Sequence, residues 1–300
     1  MRLDLYPVVG DWTVVEAGPT PADPWSIRAV LPRRSLFSRG SPLTGATEQP
    51  LAANVDTVWI VHGLDAPLNP RRLERYLAVA WESGALPEIV LTKSDLTVDL
   101  EAVLDDVHEI ALGVEIRVVS AEDSASVAAV RATLRPGQTV ALLGPSGVGK
   151  STLINLLAGS TLARTGEVRS GDRKGRHTTT RRELFQIDGG ALLLDTPGLR
   201  ELRVWTLDEG LEHAFPEIEQ LAERCRFRDC EHGTEPGCAV LDALNAGALD
   251  AGRLESYRKL QAEAAAQVRR TDPRARQAAL SEFKAAMKSL RHHPKYRKDA

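Results

Sequence analysis

Eight consecutive residues carry the strongest chemical signal in the chain. Gly144-Pro145-Ser146-Gly147-Val148-Gly149-Lys150-Ser151 fits G-x-x-x-x-G-K-[ST] without departure, and Thr152 follows it. Glycines at this spacing let backbone N–H groups close around phosphate oxygens, and a helix beginning at the lysine adds positive potential. Lys150 is the residue type that reaches β and γ phosphates, and the Ser151 hydroxyl is a ligand for Mg²⁺. The bland alternative is a glycine-rich turn with no ligand. It is disfavoured because a strand-like apolar run, residues 139–143, precedes the motif and a helical pattern, residues 150–158, follows it. A nucleoside triphosphate with Mg²⁺ is the expected ligand.

Two shorter motifs speak to the base. Thr92-Lys93-Ser94-Asp95 follows the apolar residues 88–91 and resembles a guanine-reading N/T-K-x-D. A carboxylate there accepts two hydrogen bonds from guanine N1–H and the 2-amino group. Adenine would turn a lone pair toward it and leave the charge unpaired. Alone, four residues also fit a solvated Lys/Asp turn. Their place at the end of a strand expected to be parallel favours the functional reading. Ser120-Ala121, after residues 115–119, matches the segment whose backbone also meets guanine. Asp195-Thr196-Pro197-Gly198 fits D-x-x-G and begins 45 residues after Lys150. Asp195 would hold Mg²⁺ through water, and the Gly198 N–H would sense the γ-phosphate. Between these motifs lies a polar basic loop, residues 171–182, with Thr178, Thr179 and Thr180. One of these three hydroxyls is expected on Mg²⁺, and Thr179 is carried forward as the candidate.

All three cysteines fall inside fourteen residues, as Cys225-x₄-Cys230-x-His232-x₅-Cys238. Three thiolates and one imidazole form a closed tetrahedral set, which suits one structural Zn²⁺. Scattered buried thiols would not be expected to cluster this way. Binding would contribute on the order of 10 kcal/mol to ordering a loop with little core of its own.

With 300 residues, 43% apolar and 26% charged, the chain suits a globular protein of two or three units and excludes collagen-like or disulfide-dense classes. No apolar run is long enough to span a bilayer, and the first residues lack a signal-peptide pattern, so a cytoplasmic protein off the membrane is expected. The net charge of −3 hides an asymmetry. Residues 258–300 hold 12 Lys and Arg against 4 Asp and Glu, a local +8 beside −11 for the rest. Such a stretch suits phosphate backbones better than a merely solvated face beside an acidic body.

The elements that must position these residues follow from periodicity. Residues 8–15 and 26–30 suggest short strands of a small β-barrel, and the polar residues 39–50 a linker. From residue 54, apolar strands alternate with helical patterns around 70–84, 99–112 and 126–134, which predicts an α/β domain with a mostly parallel sheet. A hairpin is expected around Asp188-Gly189-Gly190, and beyond about residue 206 the chain is helical apart from the cysteine loop.

The base-reading motifs precede the phosphate loop, the reverse of the usual GTPase order, so the chain resembles a circularly permuted P-loop GTPase. With Val9-Gly10-Asp11-Trp12, Asn54-Val55-Asp56, Gly175-Arg176-His177-Thr178-Thr179-Thr180 and the Glu235-Pro236-Gly237-Cys238 end of the cysteine loop, nearly the whole chain resembles one family. That family is the ribosome small subunit-dependent GTPases, RsgA or YjeQ. The resemblance implies an OB-type β-barrel over residues 1–50, a permuted GTPase domain over 51–205, and a helical zinc-binding domain with a basic tail over 206–300. It further implies binding of GTP and GDP, hydrolysis stimulated by the small (30S) ribosomal subunit, contacts to its 16S rRNA through the barrel and zinc domain, and a role in late subunit maturation. A monomer is the simplest expectation. It also nominates His177 as the group positioning the attacking water, because Leu199 stands where many GTPases carry glutamine. Thr92 replaces the usual asparagine, and the barrel is expected to be short of its first strands, with only nine residues or so before its motif. Two rivals remain at this level. An ABC-type ATPase has a similar phosphate loop but needs an L-S-G-G-Q-like signature that is not present. A zinc-containing RNA-binding module would use its nucleotide as a passive switch.

Overall fold

The computed structural model describes residues 6–18, 20, 24–40, 48–162, 183–195, 207–272, 274, 277 and 281. Four short strands come first: β1 (Thr13–Glu16), β2 (Ser26–Val30), β3 (Leu36–Gly40) and β4 (Glu48–Ala53). Strand and helix then alternate: β5 (Thr57–Gly63), α1 (Pro70–Glu82), β6 (Leu86–Thr92), α2 (Leu100–Ile110), β7 (Glu115–Val119), α3 (Ser124–Ala132), β8 (Thr139–Leu143) and α4 (Lys150–Ala158). The hairpin β9 (Glu183–Gln186) and β10 (Leu192–Asp195) follows. Four helices complete the described chain: α5 (Asp208–Ala214), α6 (Pro216–Ala222), α7 (Ala239–Asn245) and α8 (Ala251–Thr271).

β5 to β10 form one sheet in the order β7-β6-β5-β8-β10-β9, parallel except for β9. Strand β5 is buried on both faces, as its continuous apolar run requires. Val58 and Ile60 enter a core with α1 and α2, while Trp59 and Val61 enter a second with α3 and α4. The β5–β8 register is pinned by Asp56, whose Oδ2 accepts the Thr139 N–H at 2.8 Å. Because β6 lies on one side of β5 and β8 on the other, the chain reverses direction across the sheet between them. That crevice at the strands' carboxyl ends is where open α/β sheets take ligands.

The first core continues past α1 into the C-terminal helices through Leu211, Phe215, Ile218, Val240, Leu254, Tyr257 and Leu260. Arg253 of α8 crosses this seam. Its guanidinium lies 4.8 Å from the Phe215 ring centre, donates to Ala214 O at 2.8 Å, and pairs with Glu217 and, at 3.3 Å, with Glu74 of α1. The Glu74 side chain is only 2% exposed, so its charge depends on that partner and on Arg71 at 3.5 Å.

The expected linker over residues 39–50 is corrected by the structure. β3 and β4 pair antiparallel across it, with Pro50 opposite Ser38 beside a register shift. A proline is tolerated there because the pair is two-stranded and irregular at that point. Phe37, Leu51 and Ala52 are buried in the same core as α1, and that burial organises a stretch whose composition is polar. β1 and β2 form a separate two-stranded sheet, and a bridge from Val9 to Ala52 joins the two regions. Among the described residues these four strands make two small sheets and not a closed barrel, and β4 crosses the expected break at residue 50. The Asn54 amide donates to Gly10 O at 2.9 Å, so the two N-terminal motifs meet in space. Asp11 takes Arg33 through both oxygens at 2.8 Å.

Candidate nucleotide site and Cys₃His cluster

Gly144 to Gly149 leave β8 in a tight loop and deliver Lys150 and Ser151 to the first turn of α4. At Gly144 a Cβ would stand 2.4 Å from Val61 O, so only glycine lets the loop turn this close to β5. Among the described helices of nine residues or more, α4 alone begins without a side-chain cap. Asparagine or aspartate closes the others. The first N–H groups of α4 are therefore left to a ligand, the arrangement an anion requires. Lys150 is buried and its Nζ donates to Gly144 O at 2.8 Å and Pro145 O at 2.6 Å. Incoming phosphates would replace those carbonyls as its acceptors.

The base-reading motif is fastened to the same loop. Thr92 Oγ1 lies 2.5 Å from Val148 O and 3.3 Å from His62 O, and its single proton serves the nearer one. The hydroxyl thus ties the strand end to the phosphate loop, the tether an asparagine amide would otherwise make. Lys93, with φ 58°, donates from Nζ to Gly147 O at 2.8 Å and to Asp65 Oδ2 at 2.7 Å. Ser94 and Asp95 open the short 3₁₀ turn Ser94–Leu96. Asp95 is exposed, and its Oδ1 accepts the Ser120 hydroxyl. Ser120 also accepts the Glu122 N–H at 3.1 Å, and its own N–H is taken by Ser126. The two expected base contacts, 92–95 and 120–121, therefore share one end of the crevice. Asp195 closes β10 opposite Leu142 of β8, two residues before the phosphate loop. His177, Thr179 and Gly198 lie outside the described residues, as does most of the basic tail.

Asp65 carries no motif, and sequence reasoning missed it. Its only signal is a carboxylate two residues past a strand buried at every residue but His62. The Lys93 ammonium holds its carboxyl below the usual range, against a smaller upward push from burial.

The second cluster is built in a loop. Cys225 follows α6, and Cys238 caps α7, accepting the Leu241 N–H at 3.4 Å. His232 takes φ 57°, and the Arg258 guanidinium donates to its carbonyl. The Glu235 carboxylate gathers the N–H groups of Glu231, Gly233 and Thr234 at 3.0, 2.7 and 2.9 Å, which folds the loop between the ligands. Cys225 and Cys238 sulfurs are 3.8 Å apart, and His232 Nδ1 lies 3.6 and 3.4 Å from them. A tetrahedron with ordinary Zn–S and Zn–N bonds has edges of about 3.8 Å between sulfurs and about 3.5 Å from sulfur to nitrogen. All four donor atoms, Cys230 included, lie within 4.8 Å of one another, so the set fits the metal. Burial lowers the His232 pKa and keeps the ring neutral, the form that ligates. Burial, partly offset by the His232 N–H, and the neighbouring thiols push Cys230 up to about 11. Three thiols this close cannot all ionise without a cation between them.

The family model for RsgA GTPase matches residues 30–205. A protein of Opitutus terrae named "Small ribosomal subunit biogenesis GTPase RsgA" is 50% identical over 275 residues, covering 89% of this chain and 75% of its own length. The crystal structure of YjeQ from Thermotoga maritima superposes with a TM-score of 0.62 at 28% identity, over 87% of this chain and 85% of that one. YloQ, whose structure is described as a circularly permuted GTPase, gives a TM-score of 0.60 at 25% identity, over 87% and 81%.

Proposed function

The chain belongs to the RsgA GTPase family, and from that premise we propose that it hydrolyses GTP under stimulation by the small ribosomal subunit, late in that subunit's maturation. The observation that carries the reading is the fastening of Thr92 and Lys93 to carbonyls of the phosphate loop, with Asp95 held beside Ser120. One crevice can then test base and phosphates together. The relatives' printed names supply the small subunit as partner.

In this reading Asp95 accepts guanine's two donors, and the Lys93 stem lies against the purine. The N–H groups of residues 144–149 and the Lys150 ammonium hold the phosphates. Ser151 and Asp195 would hold Mg²⁺, with a hydroxyl from residues 178–180, taken as Thr179, completing the set. Mg²⁺ bound there would neutralise charge on the β and γ oxygens. Gly198 senses the γ-phosphate, and His177 positions the attacking water when the chain is docked on the subunit. A partner-dependent group of this kind is worth up to about 10⁵-fold, near 7 kcal/mol. Cys225, Cys230, His232 and Cys238 hold one structural Zn²⁺, and the N-terminal strands (residues 1–50) and zinc domain (206–300) flank the GTPase domain (51–205) as contacts for 16S rRNA. We further propose that the protein acts as a monomer in the cytoplasm. Among the described residues no helix is long and apolar enough to cross a membrane.

GTP turnover measured with and without purified small subunits tests this. Slow turnover alone, strong stimulation by the subunit and no competition by ATP are expected. Equal competition by ATP would return the ABC-type reading, and no turnover in any condition would leave a passive switch. His177→Ala should remove the stimulated turnover and spare GTP affinity.

A further inference from the structure

We propose that Asp65 is a positioning residue for nucleotide binding, fixing the Lys93 side chain in the orientation from which it meets the guanine base. The inference rests on the guanine reading of residues 92–95. Leu64 N–H donates to Thr92 O at 2.9 Å, so the β5–β6 ladder runs one step beyond β5 and sets the turn beside the lysine. A Cβ on Gly63 would stand 2.6 Å from Asp65 Oδ1. The missing side chain at residue 63 is what lets the carboxylate fold back over its own turn and reach Lys93 Nζ at 2.7 Å. The phosphate-loop carbonyl of Gly147 is the second acceptor of that ammonium, at 2.8 Å.

A lysine stem used as a wall for a purine must give up its rotamer freedom when the base arrives. Two fixed acceptors remove that freedom in advance, and the charged one is the stronger. The same pair contributes little to the fold, since Asp65 and Lys93 side chains are 42% and 30% exposed. Its value therefore falls on the ligand. β5 and β8 meet at the crevice of the sheet, so the contact also joins the turn after β5 to the loop after β8.

The test uses the full-length protein and a fluorescent GDP. Asp65→Asn should weaken GDP binding about five-fold, mostly through faster release, with an unchanged melting temperature. The gap between variant and parent should narrow as salt is raised, because the pair is partly exposed. Lys93→Met keeps the apolar stem without the ammonium, and in that background Asp65→Asn should change affinity less than about two-fold. An equal loss in both backgrounds, or no loss in the parent, overturns the proposal. Asp95→Asn separates this inference from the reading beneath it, because it should move preference from guanine to xanthine. A switched preference with a silent Asp65→Asn sinks this inference alone. An unswitched preference sinks the guanine reading and takes the inference with it.

Discussion

The nucleotide crevice and the Cys₃His loop are built in opposite ways. The crevice is a gap at the ends of β5 and β8, strands buried on both faces, so its walls stand before any ligand arrives. The cysteine loop has short helices at its edges and four donor atoms within 4.8 Å at its centre. There the four ligands hold the loop, while Ile218 and Val240 tie the flanking helices to the first core. The difference teaches which substitutions should act on the fold and which on the chemistry, and it can be broken experimentally from several sides.

The largest effect should come from the loop. On the zinc reading proposed above, Cys238→Ser, or chelation, should remove up to about 10 kcal/mol of local folding energy. Zinc content and amide exchange over α6 and α7 should report the loss, while GDP affinity stays within a few-fold. A collapse of nucleotide binding would show that the two regions are one cooperative unit. The joint between them comes next. Glu74→Ala leaves the Arg253 charge at the α1–α8 seam with Glu217 as its remaining carboxylate, at about 3 kcal/mol. Denaturant midpoints should fall accordingly, with base preference unchanged. Asp95→Asn should do the reverse: about 2–3 kcal/mol of guanine affinity lost in titration calorimetry, and no shift in melting temperature. The smallest effect is expected at Asp11. Burial pushes its carboxyl up, but the Arg33 hydrogen bonds and the Val8 N–H outweigh this and hold it below the ordinary value. A carboxyl lowered in the folded state stabilises fully above its unfolded pKa and loses that contribution as pH falls through the folded one. Melting temperature between about pH 6 and pH 3 should therefore fall less steeply in Asp11→Asn than in the parent.

The legible parts of the sequence were those where backbone chemistry constrains residue type. Gly144 to Lys150 had to be glycine-rich because the backbone approaches β5 and a phosphate together. The cysteines stood out because all three fall within fourteen residues with His232 among them, a spacing at which four donors can reach one metal. β5 and β8 were visible as continuous apolar runs. β3 and β4 were not, since Ser38, Arg39, Gln49 and Pro50 disguise strands whose stability comes from burying Phe37, Leu51 and Ala52 on distant helices. Asp65 was invisible for a related reason. Its role depends on a partner 28 residues away that only the β5–β6 pairing brings to it.

The sheet order β7-β6-β5-β8-β10-β9 sets a timetable as well as a shape. During synthesis the residues of β5, β6 and β7 emerge together and are already neighbours, whereas β8 must arrive later and slot against the exposed side of β5. Residues 92–95 and 120–121 thus come together before the loop that fastens Thr92 and Lys93 exists, and on the nucleotide reading proposed above no ligand can be retained until residue 150 and its helix have left the exit tunnel. Stalled chains with residues up to about 135 outside the tunnel should protect the amides of β5 to β7 and fail to hold GDP. Stalled chains with β10 also outside should do both.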